Sequence, residues 1–137
     1  MHVGLRLLLP SEERSVPVAR KVLSHALVAM GVTRSCVDDI ELAISEACTN
    51  VLDHAGTHHE YAVAAGIDGD ICVVEVSDEG ENFRQPVLVP EGELIDGDAE
   101  HGRGVQLMRA LVDELDFSVC DDGGTVVRLR KSLAYQR

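Results

Sequence analysis

The sequence predicts an α/β fold, a two-layer sandwich in which three helices cover one face of a mixed, mostly antiparallel sheet. A length of 137 residues suits one domain, 1–137, and 45% hydrophobic residues are enough for a core. Apolar residues recur at helical spacing in three segments, whereas five other segments are short apolar or β-branched runs. The resulting order β, α, α, β, β, loop, α, β, β favours helices packed on one side of a sheet.

The first strand and helix follow from breaker residues. Residues 3–9 form an apolar run ended by proline and are expected to be an edge strand. A helix is expected to begin between residues 11 and 15 and to end at about Met30. Gly31 follows it, as glycine commonly follows a helix C-terminus.

The second helix is predicted over residues 34–55, with Thr33 as its N-cap and Gly56 after it. Residues 60–66 and 71–77 then read as two strands of a hairpin. The helix assignment rests on one apolar stripe of Val37, Ile40, Ile44, Ala47 and Val51.

Residues 79–101 differ from the rest of the chain because they hold three glycines, two prolines and many acids. Between residues 75 and 100 there are nine acids and only Arg84 as a base, so this stretch carries −8 of the net charge of −12. A long loop in a compact domain is commonly a lid or binding loop, and a lid is expected at about 84–101. The plainer interpretation is a solvated charged loop.

A third helix is predicted to begin near Val105, directly after Gly104, because apolar residues return there at helical spacing. Two strands should follow at about 116–120 and 125–131, joined by a turn at residues 121–124.

Charge and composition exclude several function classes. With 24 acidic and 12 basic residues, the chain is poorly suited to non-specific nucleic-acid binding or to docking on an anionic membrane. A basic protein partner, or a nucleotide held by backbone amides and a metal, remains compatible. No apolar run reaches the length of a membrane span, and four cysteines without a C-x-x-C pair indicate reduced thiols in a cytoplasmic protein.

Glu46 and Asn50 are four residues apart on the second helix and therefore share one face, beside the apolar stripe. A carboxylate there can accept a proton, and an amide oxygen is a hard ligand suited to Mg²⁺. A partly exposed polar pair without a function is the plainer alternative. A metal cluster of His54, His58 and His59 near Cys48 is not favoured, because no second ligand pair has the spacing of a zinc site.

Two glycine-containing motifs suggest a nucleotide site. Asp78 ends a strand two residues before Gly80, so its carboxylate could reach a base while the backbone approaches closely. Gly102-Arg103-Gly104 precedes the expected third helix, where free amide N–H groups can bind phosphates. Each motif alone is weak evidence, and an ordinary turn explains either one.

The order of these motifs resembles that of the GHKL ATPases, the superfamily of gyrase, the Hsp90 chaperone, histidine kinases and MutL-type proteins. Residues 46–55 resemble its N-box, 76–80 its first glycine box, 101–109 its second, and 124–127 its terminal strand motif. The resemblance extends from about residue 5 to 132 and is closest to the bacterial anti-sigma-factor serine-protein kinases.

This resemblance implies a Bergerat-type ATP-binding fold and a role for each matching residue. Glu46 would be the general base, Asn50 would coordinate Mg²⁺, and Asp78 would accept a hydrogen bond from the adenine amino group. The remaining nucleotide contacts would come from Gly80, Gly102, Arg103, Gly104 and Thr125.

The implied function is an ATP-binding, Mg²⁺-dependent anti-sigma factor that phosphorylates a serine or threonine of an anti-sigma-factor antagonist. Its implied partners are the sigma factor, the antagonist and a second copy in a homodimer. Asn82 occupies the second glycine position of the first glycine box, which favours the alternative of a non-catalytic module that sequesters a partner. The detached ATPase domain of a histidine-kinase-like protein is a third, less favoured interpretation, because no helical segment bears a phospho-accepting histidine.

Overall fold

The computed structural model describes residues 2–54, 59–78, 87–88, 99–119 and 124–137. Within these residues the chain forms one six-stranded sheet and three α-helices, with a short 3-10 helix, Glu13–Ser15, before the first of them. The elements in chain order are β1 (His2–Pro10), α1 (Val16–Ala29), α2 (Arg34–His54), β2 (Glu60–Asp68), β3 (Ile71–Ser77), β4 (Val87–Leu88), α3 (Ala99–Leu111), β5 (Glu114–Val119) and β6 (Thr125–Ser132).

The strand order is β1-β2-β3-β6-β5-β4, so β1 lies at an edge and β6 lies in the interior of the sheet. The predicted α/β sandwich is confirmed. Every pairing in the described part of the sheet is antiparallel, whereas the sequence predicted a mixed, mostly antiparallel sheet. Because β6 comes last in the chain but pairs with β3, it brings residues near 125 beside residues near 78.

The helices form where the sequence provides caps and an apolar stripe. Gly31 adopts φ +91° directly after α1, a conformation that a side chain would disfavour. The Thr33 hydroxyl accepts a hydrogen bond from the Cys36 N–H at 3.4 Å and so caps α2 as predicted. The apolar stripe of α2 is buried in one core with inward-facing residues of the sheet, including Val63, Val74 and Leu129.

Helix α3 begins at Ala99, six residues before the predicted start at Val105. Gly102 and Gly104 therefore lie inside the helix and do not precede it. A glycine in a helix interior costs only about 1 kcal/mol relative to alanine, which the packing of buried Val105 and Met108 can offset.

The predicted lid at 84–101 lies partly within two regular elements. Val87 pairs with Val119 and Leu88 pairs with Ser118, which forms the edge strand β4. Residues 99–101 belong to α3. The rest of that segment lies outside the described residues, as does most of the predicted turn at 121–124.

Three cysteines that the structure describes, Cys36, Cys48 and Cys72, are free and buried, as the sequence predicted. Among the helices of the described residues, none is long and apolar enough to cross a membrane.

Candidate functional site

Helices α2 and α3 pack together where Glu46 and Asn50 face Gly104. A Cβ added to Gly104 would lie 2.9 Å from Glu46 Oε2 and 3.6 Å from Asn50 Nδ2. Contacts below 3.0 Å are too short for a real side chain, so only glycine fits here without moving a neighbour. Residues that were selected from two separate motifs thus meet at one point between two helices.

Asn50 is the buried polar member of this group, at 3% exposed. Its Nδ2 has no hydrogen-bond partner among the described residues. Leaving a buried donor unsatisfied costs about 1–3 kcal/mol, so such an atom in a native protein has a partner such as a water, or serves a functional site. Its amide also carries Oδ1, the hard oxygen that a Mg²⁺ ion prefers.

Asp78 and Thr125 form a second group at the ends of two neighbouring strands, β3 and β6. The Thr125 N–H donates to Asp78 Oδ1 at 2.7 Å, and the Asp78 N–H donates to the Thr125 carbonyl at 3.3 Å. Both residues are 2% exposed. The first hydrogen bond engages one carboxylate oxygen and fixes the plane of the group, so Oδ2 is the oxygen that would meet a base.

A buried polar chain supports α2 from the sheet. The Ser15 hydroxyl lies 2.7 Å from the Tyr61 hydroxyl, and Ser15 also donates to the Glu12 carbonyl at 2.7 Å. Tyr61 interacts electrostatically with Cys48, which lies on α2 between Glu46 and Asn50. Burial raises the pKa of Cys48 to about 12 and that of Tyr61 to about 12, so both stay neutral.

The sequence reasoning missed this support. Ser15 and Tyr61 are 46 residues apart, and neither stands in a motif. The available signal was a single tyrosine at the start of an apolar strand, since a buried tyrosine hydroxyl needs a partner.

Lys131 connects β6 to both helices of the site. Its Nζ donates to the Leu111 carbonyl at the end of α3 at 2.8 Å, and it lies 3.4 Å from Asp39 Oδ2 on α2. The carbonyls at a helix C-terminus lack partners within the helix, so a lysine there stabilises α3 against the sheet.

The structure describes only some of the other predicted site residues. Gly102 and Arg103 lie in α3 just before Gly104, whereas Gly80 and Asn82 lie outside the described residues. Where the chain is described, no group of three His, Cys, Asp or Glu residues could hold a metal ion; His58 of the histidine cluster lies outside the described residues.

The profile of the histidine kinase-like ATPase domain matches residues 9–131 of this chain. The chain belongs to the histidine kinase-like ATPase family. Among its relatives are the serine-protein kinases RsbW of Bacillus velezensis and of Bacillus subtilis. Each is 32% identical over 142 residues, which cover 97% of this chain and 88% of the relative.

Solved structures share the fold of this histidine kinase-like ATPase domain. The crystal structure of the RsbU and RsbW domains of Rv1364c from Mycobacterium tuberculosis aligns with a TM-score of 0.73 and 24% identity. The alignment covers 98% of this chain and 33% of that one. The SiaB–SiaC complex from Pseudomonas aeruginosa aligns with a TM-score of 0.58 and 18% identity, over 95% of this chain and 89% of that one. The motif residues of the ATPase domain thus belong to a fold that recurs in these two solved structures.

Proposed function

We propose that this protein binds ATP with Mg²⁺ and transfers the γ-phosphoryl group to a serine or threonine of an anti-sigma-factor antagonist. In the same proposal it is a homodimeric anti-sigma factor that holds a sigma factor inactive. One observation supports the catalytic part most strongly. Gly104 brings α3 so close to Glu46 and Asn50 that even an added methyl group would displace the Glu46 carboxylate.

The side chain of Asn50 offers an oxygen ligand that suits Mg²⁺. Asn50 would hold the ion through Oδ1, and its buried Nδ2, which has no partner in the described chain, would donate to a phosphate oxygen. When bound, the ion would neutralise charge on the phosphate oxygens. Gly104 faces this amide and Gly102 lies two residues before it on α3, and their backbone would adjoin the phosphates.

Glu46 would act on the attacking hydroxyl. As the substrate oxygen forms its bond to the γ-phosphorus, the bond from that phosphorus to the oxygen of the ADP leaving group breaks. The hydroxyl proton moves to the Glu46 carboxylate. Glu46 is half-buried at the α2–α3 contact, so part of its side chain is open to a substrate.

Asp78 would orient the adenine. Because Thr125 engages Oδ1 at 2.7 Å, the carboxylate is already held in place before a ligand arrives. A fixed acceptor selects a base that carries an amino group at the matching position. That selection favours adenine over guanine, which presents a carbonyl there.

Glu46→Gln tests the proposal because it keeps the size of the side chain and removes the proton acceptor. We expect phosphorylation of the antagonist to fall by about 10²–10⁴-fold while ATP affinity, measured by calorimetry with Mg²⁺, changes little. Glu41→Gln is the matched control, since it makes the same change on α2 on the side that faces α1. Undiminished phosphorylation by Glu46→Gln would show that another residue takes the proton.

A non-catalytic binding module is the second candidate, and Asn82 in place of a motif glycine favours it. Under this alternative the parent protein restrains its partner but phosphorylates no antagonist. Asn82→Gly decides between the two, because gain of phosphorylation on restoring the glycine would identify the asparagine as the cause.

A further inference from the structure

Lys131 occupies a position of β6 that faces the helices. Val127, Leu129 and Lys131 alternate along the strand on its helix-facing side, and the first two are buried in the core. Lys131 continues this series, and its side chain is only 20% exposed. Removing a charged group from water is costly unless the charge is paired and hydrogen-bonded. The partners of this lysine lie on both helices of the proposed nucleotide site.

The C-terminal end of α3 is held by three consecutive residues of β6. The Asp113 N–H donates to the Arg130 carbonyl at 2.9 Å, and Lys131 Nζ donates to the Leu111 carbonyl at 2.8 Å. The Ser132 N–H donates to the Asp113 carboxylate. Of these three hydrogen bonds, the one from Lys131 reaches the helix itself. A substitution of Lys131 can therefore remove it without changing the backbone of the strand.

Two connections between α2 and α3 lie seven residues apart on each helix. At the first, Gly104 of α3 approaches Glu46 of α2. At the second, Lys131 joins the Leu111 carbonyl of α3 to Asp39 of α2, whose carboxylate lies 3.4 Å from Nζ. Seven residues of helix span about 10 Å, or two turns. The two helices therefore run antiparallel, and the proposed phosphate-binding part of α3 lies two turns from the lysine.

We propose that Lys131 is a positioning residue for phosphoryl transfer, because it sets the angle of α3 to α2 and so the distance from Glu46 to the phosphates. This inference rests on the proposed function. A tilt of about 6° at the Leu111 end would displace Gly104 by about 1 Å over two turns of helix. A displacement of about 1 Å at a reacting group can reduce a rate about 10²-fold, so a hydrogen bond remote from ATP controls the reaction.

Lys131→Met tests this role, because it keeps the length of the side chain and removes the charge and all three donors. At saturating ATP, Mg²⁺ and antagonist, we expect kcat for phosphorylation to fall at least ~10-fold, while KM for ATP stays within about twofold. Lys131→Arg restores the cation and its donors and should recover kcat to within about threefold of the parent. If circular dichroism shows Lys131→Met to be unfolded, Lys131→Gln replaces it. Its shorter neutral side chain should lower kcat about threefold or more.

Arg130→Met is the matched control. It removes a cation from the neighbouring residue of β6, on the opposite face of the sheet, where Arg130 pairs with exposed Glu114 at 3.2 Å. Its kcat should stay within about twofold of the parent, since an exposed ion pair contributes little. Asp39→Asn removes the charge of the other partner of Lys131 and leaves the Leu111 carbonyl hydrogen-bonded. It should lower kcat by less than about threefold.

An NMR measurement tests the geometry without any phosphorylation. The side-chain amide of Asn50 lies at the α2–α3 contact, and its signal is identified by its absence in Asn50→Asp. Lys131→Met should shift this signal, although the lysine lies about two turns away. Arg130→Met should leave it unchanged. A lysine that only stabilised the end of α3 would affect the amides near Leu111 and not the Asn50 side chain.

Four results would overturn the proposal. They are a kcat of Lys131→Met within about twofold of the parent, an equal loss in Arg130→Met, no recovery in Lys131→Arg, and an unshifted Asn50 signal. A raised KM for ATP with unchanged kcat would also overturn it, because the effect would then lie in nucleotide binding. If the parent phosphorylates no antagonist, the proposed function fails, and the Asn50 signal alone decides whether Lys131 sets the contact between the helices.

Discussion

Gly104→Ala tests the contact between α2 and α3 with one added methyl group. Its Cβ would fall 2.9 Å from Glu46 Oε2, whereas ordinary contacts begin at 3.4 Å, so the carboxylate must move by about 0.5 Å. The obstructing atom is the far end of a flexible side chain, and the backbone can stay in place. The substitution therefore displaces the proposed base without breaking the fold.

The expected loss of phosphorylation rate follows from how far Glu46 is displaced. A displacement of 1 Å at a reacting group can reduce a rate about 10²-fold, so we expect phosphorylation to fall about 10-fold to 100-fold. Stability should change little. Replacing a helical glycine with alanine gains up to about 1 kcal/mol, and an off-rotamer Glu46 costs about 0.5–1.5 kcal/mol.

The assay pairs the rate of antagonist phosphorylation with the free energy of unfolding in urea. Gly66→Ala is the matched control, because no atom lies within 4 Å of its added Cβ. It should phosphorylate at the parental rate. A Gly104→Ala variant as active as the parent would refute the idea that close approach of α3 positions Glu46. A loss of several kcal/mol would show that the glycine serves the fold instead.

Two further predictions concern binding and pH. Asp78→Asn keeps an oxygen for the Thr125 N–H but offers an amide to the adenine amino group, so ATP affinity by calorimetry should fall by about 1–3 kcal/mol; unchanged affinity would remove Asp78 from the base site. Alkaline pH should destabilise the fold, because burial raises the pKa of Cys48 from 9.0 to about 12 and that of Tyr61 from 10.0 to about 12. The pKa values of both groups are higher in the folded than in the unfolded state, so the free energy of unfolding is unaffected by either group below about pH 9. It falls as the pH rises to about 12, by about 1.4 kcal/mol per pH unit for each group. Urea titrations should show a smaller loss above pH 9 for Cys48→Ala, and a flat profile for the parent would contradict the burial argument.

Local signals predicted most of the fold. The apolar stripe, the Thr33 cap and a glycine placed α2 within one residue of its observed end at His54. Strands β2 and β3 appeared as apolar runs around a turn where Gly69 has φ +61°. In each case the deciding interactions lie within a few residues of one another, so the sequence alone contains them.

The errors arose where distant segments meet. Gly104 looked like a residue before a helix, but it lies inside α3, at the point where α2 packs against it. Strand β4 has only two residues, in a segment rich in acid and proline, and it forms by pairing with β5. The motifs predicted Asp78 and Thr125 as site residues. Their mutual hydrogen bonds depend on the register of β3 against β6, which no local pattern encodes.

The interior position of β6 limits the order in which this protein can fold during synthesis. The strand that comes last in the chain fills the middle of the sheet, so the sheet cannot grow by adding strands to one edge in order of synthesis. Strand pairing over such sequence distances is slow compared with helix formation. Thr125 reaches Asp78 only when β6 inserts, and until then the Asp78 carboxylate has no Thr125 N–H to fix it. A nascent chain on the ribosome therefore cannot assemble this pair before β6 emerges, and capture of a ligand there would report that β6 has joined the sheet.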